Sequence, residues 1–305
     1  MAGGIASIGE CMLELSGRPD GAWSLGYAGD TFNTLWAIRA LSERPCDYVS
    51  AFGDDPFSEK QIAFLADAGI GIADSPVIAG ARPGLYAITL TGAERSFTYW
   101  RSDAAARQLA SDPVALGRSL SGRALVYFSG ITLAILEAEG RAALIDALKR
   151  ARIGGSLIAF DPNYRPRLWP SVEAARGAIA EAASVCDIAL PTFPDEQMLF
   201  GDANPEATAE RLRQSGVAEV VVKNGSEPAL VVQKGESHLV PAIGVDAVDT
   251  TGAGDSFNGG YLAARLAGKS PLEAAALAHR TAAATVCVRG ALAPVEALRA
   301  AFSPA

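Results

Sequence analysis

The chain has 305 residues, half of them hydrophobic, which is ample for one large α/β domain with its own core. Its formal net charge of −8 excludes a nucleic-acid partner, because phosphate backbones demand clustered Lys and Arg. Four cysteines with no CxxC spacing and two distant histidines argue for reduced thiols rather than a zinc site or a disulfide framework, and so for the cytoplasm.

In chain order, "IASIG" (5–9) reads as a first strand rather than the core of a signal peptide, since no basic segment precedes it. "GDTFNTLWAIRALSE" follows with helical periodicity, then the strand "DYVSAFG" and the helix "PFSEKQIAFLADAG", with Pro in its first turn. "ALVYFSG" with "LEAEGRAALIDALKRARIG", "GSLIAFD" with "SVEAARGAIAEAAS", and "CDIALPTF" with "PDEQMLFG" repeat the strand–helix unit. "EVVVKNG" and "PALVV" are two more β runs, and beyond residue 254 the pattern is almost all helix. Alternation of this kind predicts a mainly parallel central sheet flanked by helices. No apolar run reaches membrane-spanning length, so no membrane partner is expected.

Two segments break the alternation. Residues 11–29 and 84–101 read as antiparallel hairpins, the second around the turn "TGAER". Such pieces do not easily enter a parallel sheet, so they predict a small β lid over a site on a single domain spanning 1–305. Their open edges also predict a homo-oligomer formed through the lid.

Two glycine motifs lead nowhere. "AGKS" (267–270) lacks the P-loop's first Gly, because Ala263 stands there, and Gly268 closes a helix instead of opening one. "GAGDSF" has Phe257 where a dinucleotide fingerprint needs its third Gly. What "TTGAGDSF" does offer is a helix N-terminus with small residues at 252–254, where unpaired N–H groups and the helix dipole attract an anion. A carboxylate there, Asp255, would repel a phosphate, but it makes sense beside a hydroxyl about to attack one. Asp is also a common helix N-cap, which is the plainer alternative.

The longer stretch "DTTGAGDSFNGGYLAARLAG" (249–268) closely resembles the C-terminal signature of the ribokinase-like (PfkB) carbohydrate kinases, and "GYAGDTFN" (26–33) resembles their N-terminal glycine pair, with Ala28 in place of the first Gly. The resemblance implies a ribokinase-like α/β fold, ATP as phosphoryl donor, Gly252, Ala253 and Gly254 as an anion hole, and Asp255 as catalytic base. "GECMLELS" (9–16), "RSFTYWRSDAAA" (95–106), "YFSGITLAIL" (127–136) and "DPNYRPRLWPS" (161–171) are similar to the 2-keto-3-deoxygluconate kinase branch of that family. A substrate of that kind carries a carboxylate, for which an arginine fork is the apt partner. Arg101, at the end of the lid strand, and Arg165, after the strand "LIAFD", are the candidates, and Arg165 has ATP phosphates as its other possible ligand. Family positions further imply Gly29, Asp30, Asn33, Tyr86 and Tyr99 at the sugar acid. They imply Asn163, Arg165, Lys223, Asn224, Gly225, Ser226, Gly252 and Gly254 at the nucleotide. Mg2+ is expected with ATP, held largely by phosphates and water. The family's NxxE motif is altered here: Thr192 replaces Asn, and Asp195 or the following Glu196 would serve the metal's water shell. A kinase of a neutral sugar such as fructose or ribose, and a non-catalytic sugar-acid sensor, are the competing readings.

Overall fold

The computed structural model describes residues 3–18, 20–91 and 94–303. Strand β1 (Ile5–Ile8) leads into the hairpin β2 (Met12–Gly17) and β3 (Trp23–Ala28), followed by helix α1 (Asp30–Leu41). Next come β4 (Cys46–Val49), β5 (Phe52–Gly53), α2 (Pro56–Asp67), β6 (Ile70–Gly71), β7 (Val77–Ile78) and a second hairpin, β8 (Leu85–Thr91) and β9 (Glu94–Trp100). The middle third is α3 (Pro113–Leu120), β10 (Leu125–Ser129), α4 (Gly130–Ile135), α5 (Ala138–Ile153), β11 (Leu157–Asp161), α6 (Val172–Ser184) and β12 (Ile188–Ala189). Helices α7 (Phe193–Phe200) and α8 (Pro205–Gln214), strands β13 (Glu219–Val222), β14 (Ala229–Gln233) and β15 (Glu236–Val240), and helices α9 (Ala253–Leu266), α10 (Pro271–Val286) and α11 (Val295–Phe302) complete the chain.

Nine strands form one sheet in the order β15-β14-β13-β12-β11-β10-β1-β4-β6. All pairs from β13 to β6 are parallel, and only β13–β14 and β14–β15 are antiparallel. The strands are apolar on both faces because both are covered. Ala6, Ile8, Val126 and Phe128 point into one core with α3, α5 and α6, and Ile5, Tyr48, Leu125 and Tyr127 point into another with α1, α9 and α10. Helix starts are marked as the sequence suggests: Asp55 caps α2 ahead of Pro56, and Ser270 with Glu273 makes a capping box on α10. Gly268 sits just past the end of α9 with φ +81°, the left-handed stop that removes "AGKS" from the P-loop class.

The chain order reverses at β1. From β1 it proceeds outward through β4 and β6, and later resumes on the other side with β10. Open α/β sheets bind ligands at the carboxyl ends of the strands flanking such a reversal.

The two hairpins form a separate four-stranded sheet, β3-β2-β8-β9. Both hairpins are antiparallel as expected, but they join through a parallel β2–β8 contact that local sequence does not announce. Residues 92 and 93, within the expected turn "TGAER", lie outside the described residues. Three features were not anticipated. "DYVSAFG" splits into β4 and β5, the expected strand in "CDIALPTF" shrinks to two residues, and β15 forms from the charged, exposed stretch Glu236–Val240.

Candidate active site

Polar residues end several of the apolar strands, and they gather where the sheet reverses. Asp161, the last residue of β11, is 3% exposed and accepts from Lys223 Nζ and from Asn258 Nδ2, both at 2.7 Å. Lys223 follows β13, and Asn258 lies on α9 one turn beyond Asp255, so one carboxylate joins two strand ends to the start of α9. Asn258 Nδ2 also donates to Tyr127 Oη at 3.1 Å, and Thr34 Oγ1, 3.4 Å from that oxygen, donates to the backbone oxygen of Asp255 at 3.1 Å. The N-terminus of α9 is thereby fixed against α1, β10 and β11.

The N-cap of α9 is Gly252, in the left-handed region at φ +75°, and Asp255 is the third helical residue rather than the cap. A Cβ on Gly252 would sit 2.8 Å from the backbone oxygen of Ala291, so the turn requires glycine. Gly254 is different, with its nearest neighbour, Lys223 Nζ, at 3.7 Å from a Cβ built there. Asp249 braces the approach, its carboxylate accepting from the N–H of Thr251 at 3.0 Å and of Gly290 at 2.7 Å.

Asp255 turns its carboxylate toward α1, where Asn33 Nδ2 donates to Oδ2 at 2.8 Å. Asn33 is buried, and its Oδ1 accepts from the N–H of Gly29 at 3.3 Å. Burial, then the neighbouring charge of Asp30, pushes the Asp255 carboxyl up to about 7, with Asn33 opposing. A carboxyl poised near neutrality with a fixed orientation is suited to general-base work. Asp30 opens α1 without capping it, and its Oδ2 accepts from Asn163 Nδ2 at 2.7 Å. Asn163 adopts φ +35°, stabilised by its N–H donating to Asp161 Oδ1 at 3.1 Å. Gly29 is needed for packing: a Cβ there would meet the backbone oxygen of Glu10 at 2.0 Å.

Two cavities open in the molecule, and the smaller adjoins this network through Lys223 and Gly254. The smaller, about 170 Å³, is lined by Thr192, Lys223, Asn224, Gly225, Ala253, Gly254, Phe257 and His279. Four of the residues expected at the nucleotide thus share one cleft with Ala253 of the expected anion hole, and exposed Ser226 is not among its lining. His279, unremarked in the sequence, stands edge-on to Phe257 at 5.0 Å and contacts the Val240 oxygen at 3.2 Å. The larger cavity, about 410 Å³, lies at the end of β9 and is lined by Tyr99, Trp100, Arg101, Ser102, Asp103, Arg107, Ala134, Ile135, Arg167 and Leu168. Arg107 and Arg167 join Arg101 there without having been singled out in the sequence.

Arg101 is not a solvated strand-end charge. Its side chain is 12% exposed, and Nη2 donates to Glu10 Oε2. Tyr86 is buried and donates to Glu14 Oε2, with its ring 5.7 Å from that of half-exposed Tyr99. Arg165 pairs with Asp195 at 3.0 Å and donates to the Tyr164 backbone oxygen, and it is not among the residues lining the larger cavity. Burial pushes the Asp195 carboxyl up against the opposing pull of Arg165.

Glu196 departs from expectation. It is fully buried and bonded to Arg211, which also holds Asp202, so it is a structural ion pair rather than a ligand for a metal's water. Helix geometry explains this: consecutive residues lie about 100° apart around α7, so Asp195 pairs with Arg165 while Glu196 turns inward. Among the described residues no group of three or more His, Cys, Asp or Glu is arranged to hold a metal ion.

The profile of the pfkB family carbohydrate kinases matches residues 3–298. The chain belongs to that family. It is 42% identical to a 2-dehydro-3-deoxygluconokinase of Dickeya dadantii, over 97% of this chain and 98% of the relative, and 39% identical to that of Escherichia coli K12, over 97% and 99%. A fructokinase-2 of Zea mays is more distant, at 31% over 85% of this chain and 78% of its own length. Among solved structures, a PfkB protein from Polaromonas sp. JS666 superposes with a TM-score of 0.87 at 27% identity, covering 98% of this chain and all of that one. A putative ribokinase II from E. coli in complex with ATP and Mg2+ gives 0.83 at 26%, covering 95% and 94%. The ribokinase-like α/β architecture expected from the sequence is the one observed.

Proposed function

We propose that the protein transfers the γ-phosphoryl group of ATP to the 6-hydroxyl of 2-keto-3-deoxygluconate, giving 2-keto-3-deoxy-6-phosphogluconate and ADP. The observation that carries the chemistry is the Asp255 carboxylate, tied by Asn33 beside the N-terminus of α9. Asp255 accepts the hydroxyl proton as the sugar oxygen bonds to phosphorus and the bond to the ADP oxygen breaks. The N–H groups at Gly252, Ala253 and Gly254 take up the charge on the moving phosphoryl group. The substrate class follows from Arg101, Arg107 and Arg167 around the larger cavity and from the names of the relatives above.

Lys223, Asn224, Gly225 and Gly254 in the smaller cavity are assigned to ATP, and Asn163, beside Asp30 and Asp161, is assigned to it by family position. Ser226, exposed at the same turn, has no support beyond its position. Arg165, paired with Asp195, lines neither cavity, so phosphates and the sugar acid both stay open as its ligand. A hard cation carried by phosphates and water needs little from the protein, and Asp195 fits as the single carboxylate facing that water. Mg2+ bound with ATP would supply neutralisation of phosphate charge. Gly29, Asp30, Asn33, Tyr86 and Tyr99 are assigned to the sugar, Tyr86 through the Glu14 pair.

The four-stranded sheet is assigned as a lid on a single kinase domain spanning the chain. Trp23 and Leu25 on β3 are 51% and 43% exposed on one face of it, an apolar patch that a second copy of the chain would cover. A cytoplasmic site fits an enzyme that consumes ATP.

The test is ADP release, measured by a coupled assay across 2-keto-3-deoxygluconate, its galactonate epimer, fructose and ribose. Turnover confined to the acids supports the reading. Preference for fructose would move the chain to the neutral-sugar branch, to which the fructokinase relative also points. Tight sugar-acid binding without ADP release would make it a sensor.

A further inference from the structure

We infer that Glu10 is a positioning residue of the sugar-acid site, acting through Arg101 by contact rather than by charge. The inference rests on the sugar-acid reading above, in which Arg101 meets the substrate.

Glu10 lies two residues beyond β1, the strand at which the sheet order reverses, and its side chain is 1% exposed. Its backbone and carboxylate both occupy space cleared by glycines. A Cβ on Gly29 would meet the Glu10 carbonyl oxygen at 2.0 Å, and one on Gly84 would meet Glu10 Oε1 at 2.2 Å and Arg101 Cβ at 3.2 Å. Two glycines far apart in sequence therefore accommodate one carboxylic acid. A buried acid is costly unless it is paired, and its partner is the guanidinium of Arg101.

The pair is not closed on itself. Glu10 Oε1 and Arg101 Nε are both buried without a hydrogen-bond partner, so one strong contact through Nη2 holds the fork, rather than a two-bond clasp. A guanidinium held bidentately by its own protein would have fewer edges left for a ligand, whereas one gripped at Nη2 is fixed in direction and keeps donors to offer. Arg101 directly follows β9 of the small sheet, and Glu10 lies in the link between β1 of the central sheet and β2 of the small one. The contact therefore sets where the guanidinium sits relative to the floor of the site. A long, flexible side chain that is already immobilised loses less freedom when the substrate arrives. Arg107 and Asp30 are the other charged groups that act on the Glu10 carboxylate.

The test is to separate reach from charge. Glu10→Asp keeps the charge and shortens the side chain by one methylene, and Glu10→Gln keeps the length and removes the charge. Expected for Glu10→Asp is an increase in KM for 2-keto-3-deoxygluconate of about tenfold, with kcat and the KM for ATP within about threefold of wild type. Expected for Glu10→Gln is a KM within about threefold. In an Arg101→Lys background the Glu10→Asp increase should vanish, since the geometry it disturbs is already gone. Melting temperatures identify any variant that is merely unstable, and calorimetric binding of the sugar acid replaces KM where turnover is too low to measure. The reverse pattern, with Gln impaired and Asp intact, would overturn the inference, as would effects that add in the double variant. Wild-type enzyme that ignores sugar acids would instead overturn the functional reading.

Discussion

The Asp255 environment makes a quantitative demand on the pH dependence of catalysis. A base acts only when ionised, and burial with Asp30 nearby holds the Asp255 carboxyl at about 7. The sign is therefore fixed: kcat/KM rises with pH up to about 7 and levels off above it. With that value, about one tenth of the enzyme is active at pH 6 and about one hundredth at pH 5, whereas an ordinary Asp would leave the profile flat across this range. ATP also titrates near neutrality, so the decisive perturbation is Asp30→Asn. Asn is isosteric and its amide oxygen can still accept from Asn163, so the fold is spared while the neighbouring negative charge is removed. Burial is the larger cause and remains, so the limb should move to lower pH by about one unit rather than return to the ordinary range. The assay is initial-rate ADP release at subsaturating sugar acid from pH 5 to 9 for both proteins. A limb that stays in place in Asp30→Asn would assign the ionisation to ATP and refute the role given to Asp255.

Further expectations follow from the same geometry. Asp255→Asn should lower kcat by at least about a thousandfold while the Kd for ATP, measured by calorimetry, stays within a few-fold. Gly29→Ala should lower the melting temperature sharply, because the new methyl meets a backbone oxygen that cannot rotate away, whereas Gly254→Ala should fold normally since no neighbour lies closer than 3.7 Å. Light scattering should show a dimer or larger species for the wild type, and Trp23→Ser with Leu25→Ser should shift it toward monomer. Unchanged mass would remove the apolar face of β3 as the association surface.

The periodicity of the sequence was enough to read the parallel sheet, both hairpins and the helical C-terminus, because covered strands are uniformly apolar and hairpins alternate. The stretch around Asp255 was legible locally as a helix start, and the role proposed for it came from the resemblance of the longer segment to a family signature. What stayed hidden depends on long-range pairing. The Glu10–Arg101 contact spans 91 residues, and Asp161 meets Lys223 across 62. A polar residue at the carboxyl end of an apolar strand, as in "IASIGE" and "LIAFD", was the available signal for both acids. Asp195 and Glu196 could not be told apart because two adjacent carboxylates at a helix start look equivalent in sequence, and only the presence of Arg211 beneath one of them decides which faces inward.

The parallel β2–β8 contact has a kinetic corollary. Strands Met12–Gly17 and Leu85–Thr91 are separated by α1, α2 and two strands of the large sheet, so the small sheet cannot be completed until the ribosome has delivered about the first hundred residues. Its first ribbon must wait, half made, while neighbouring segments settle.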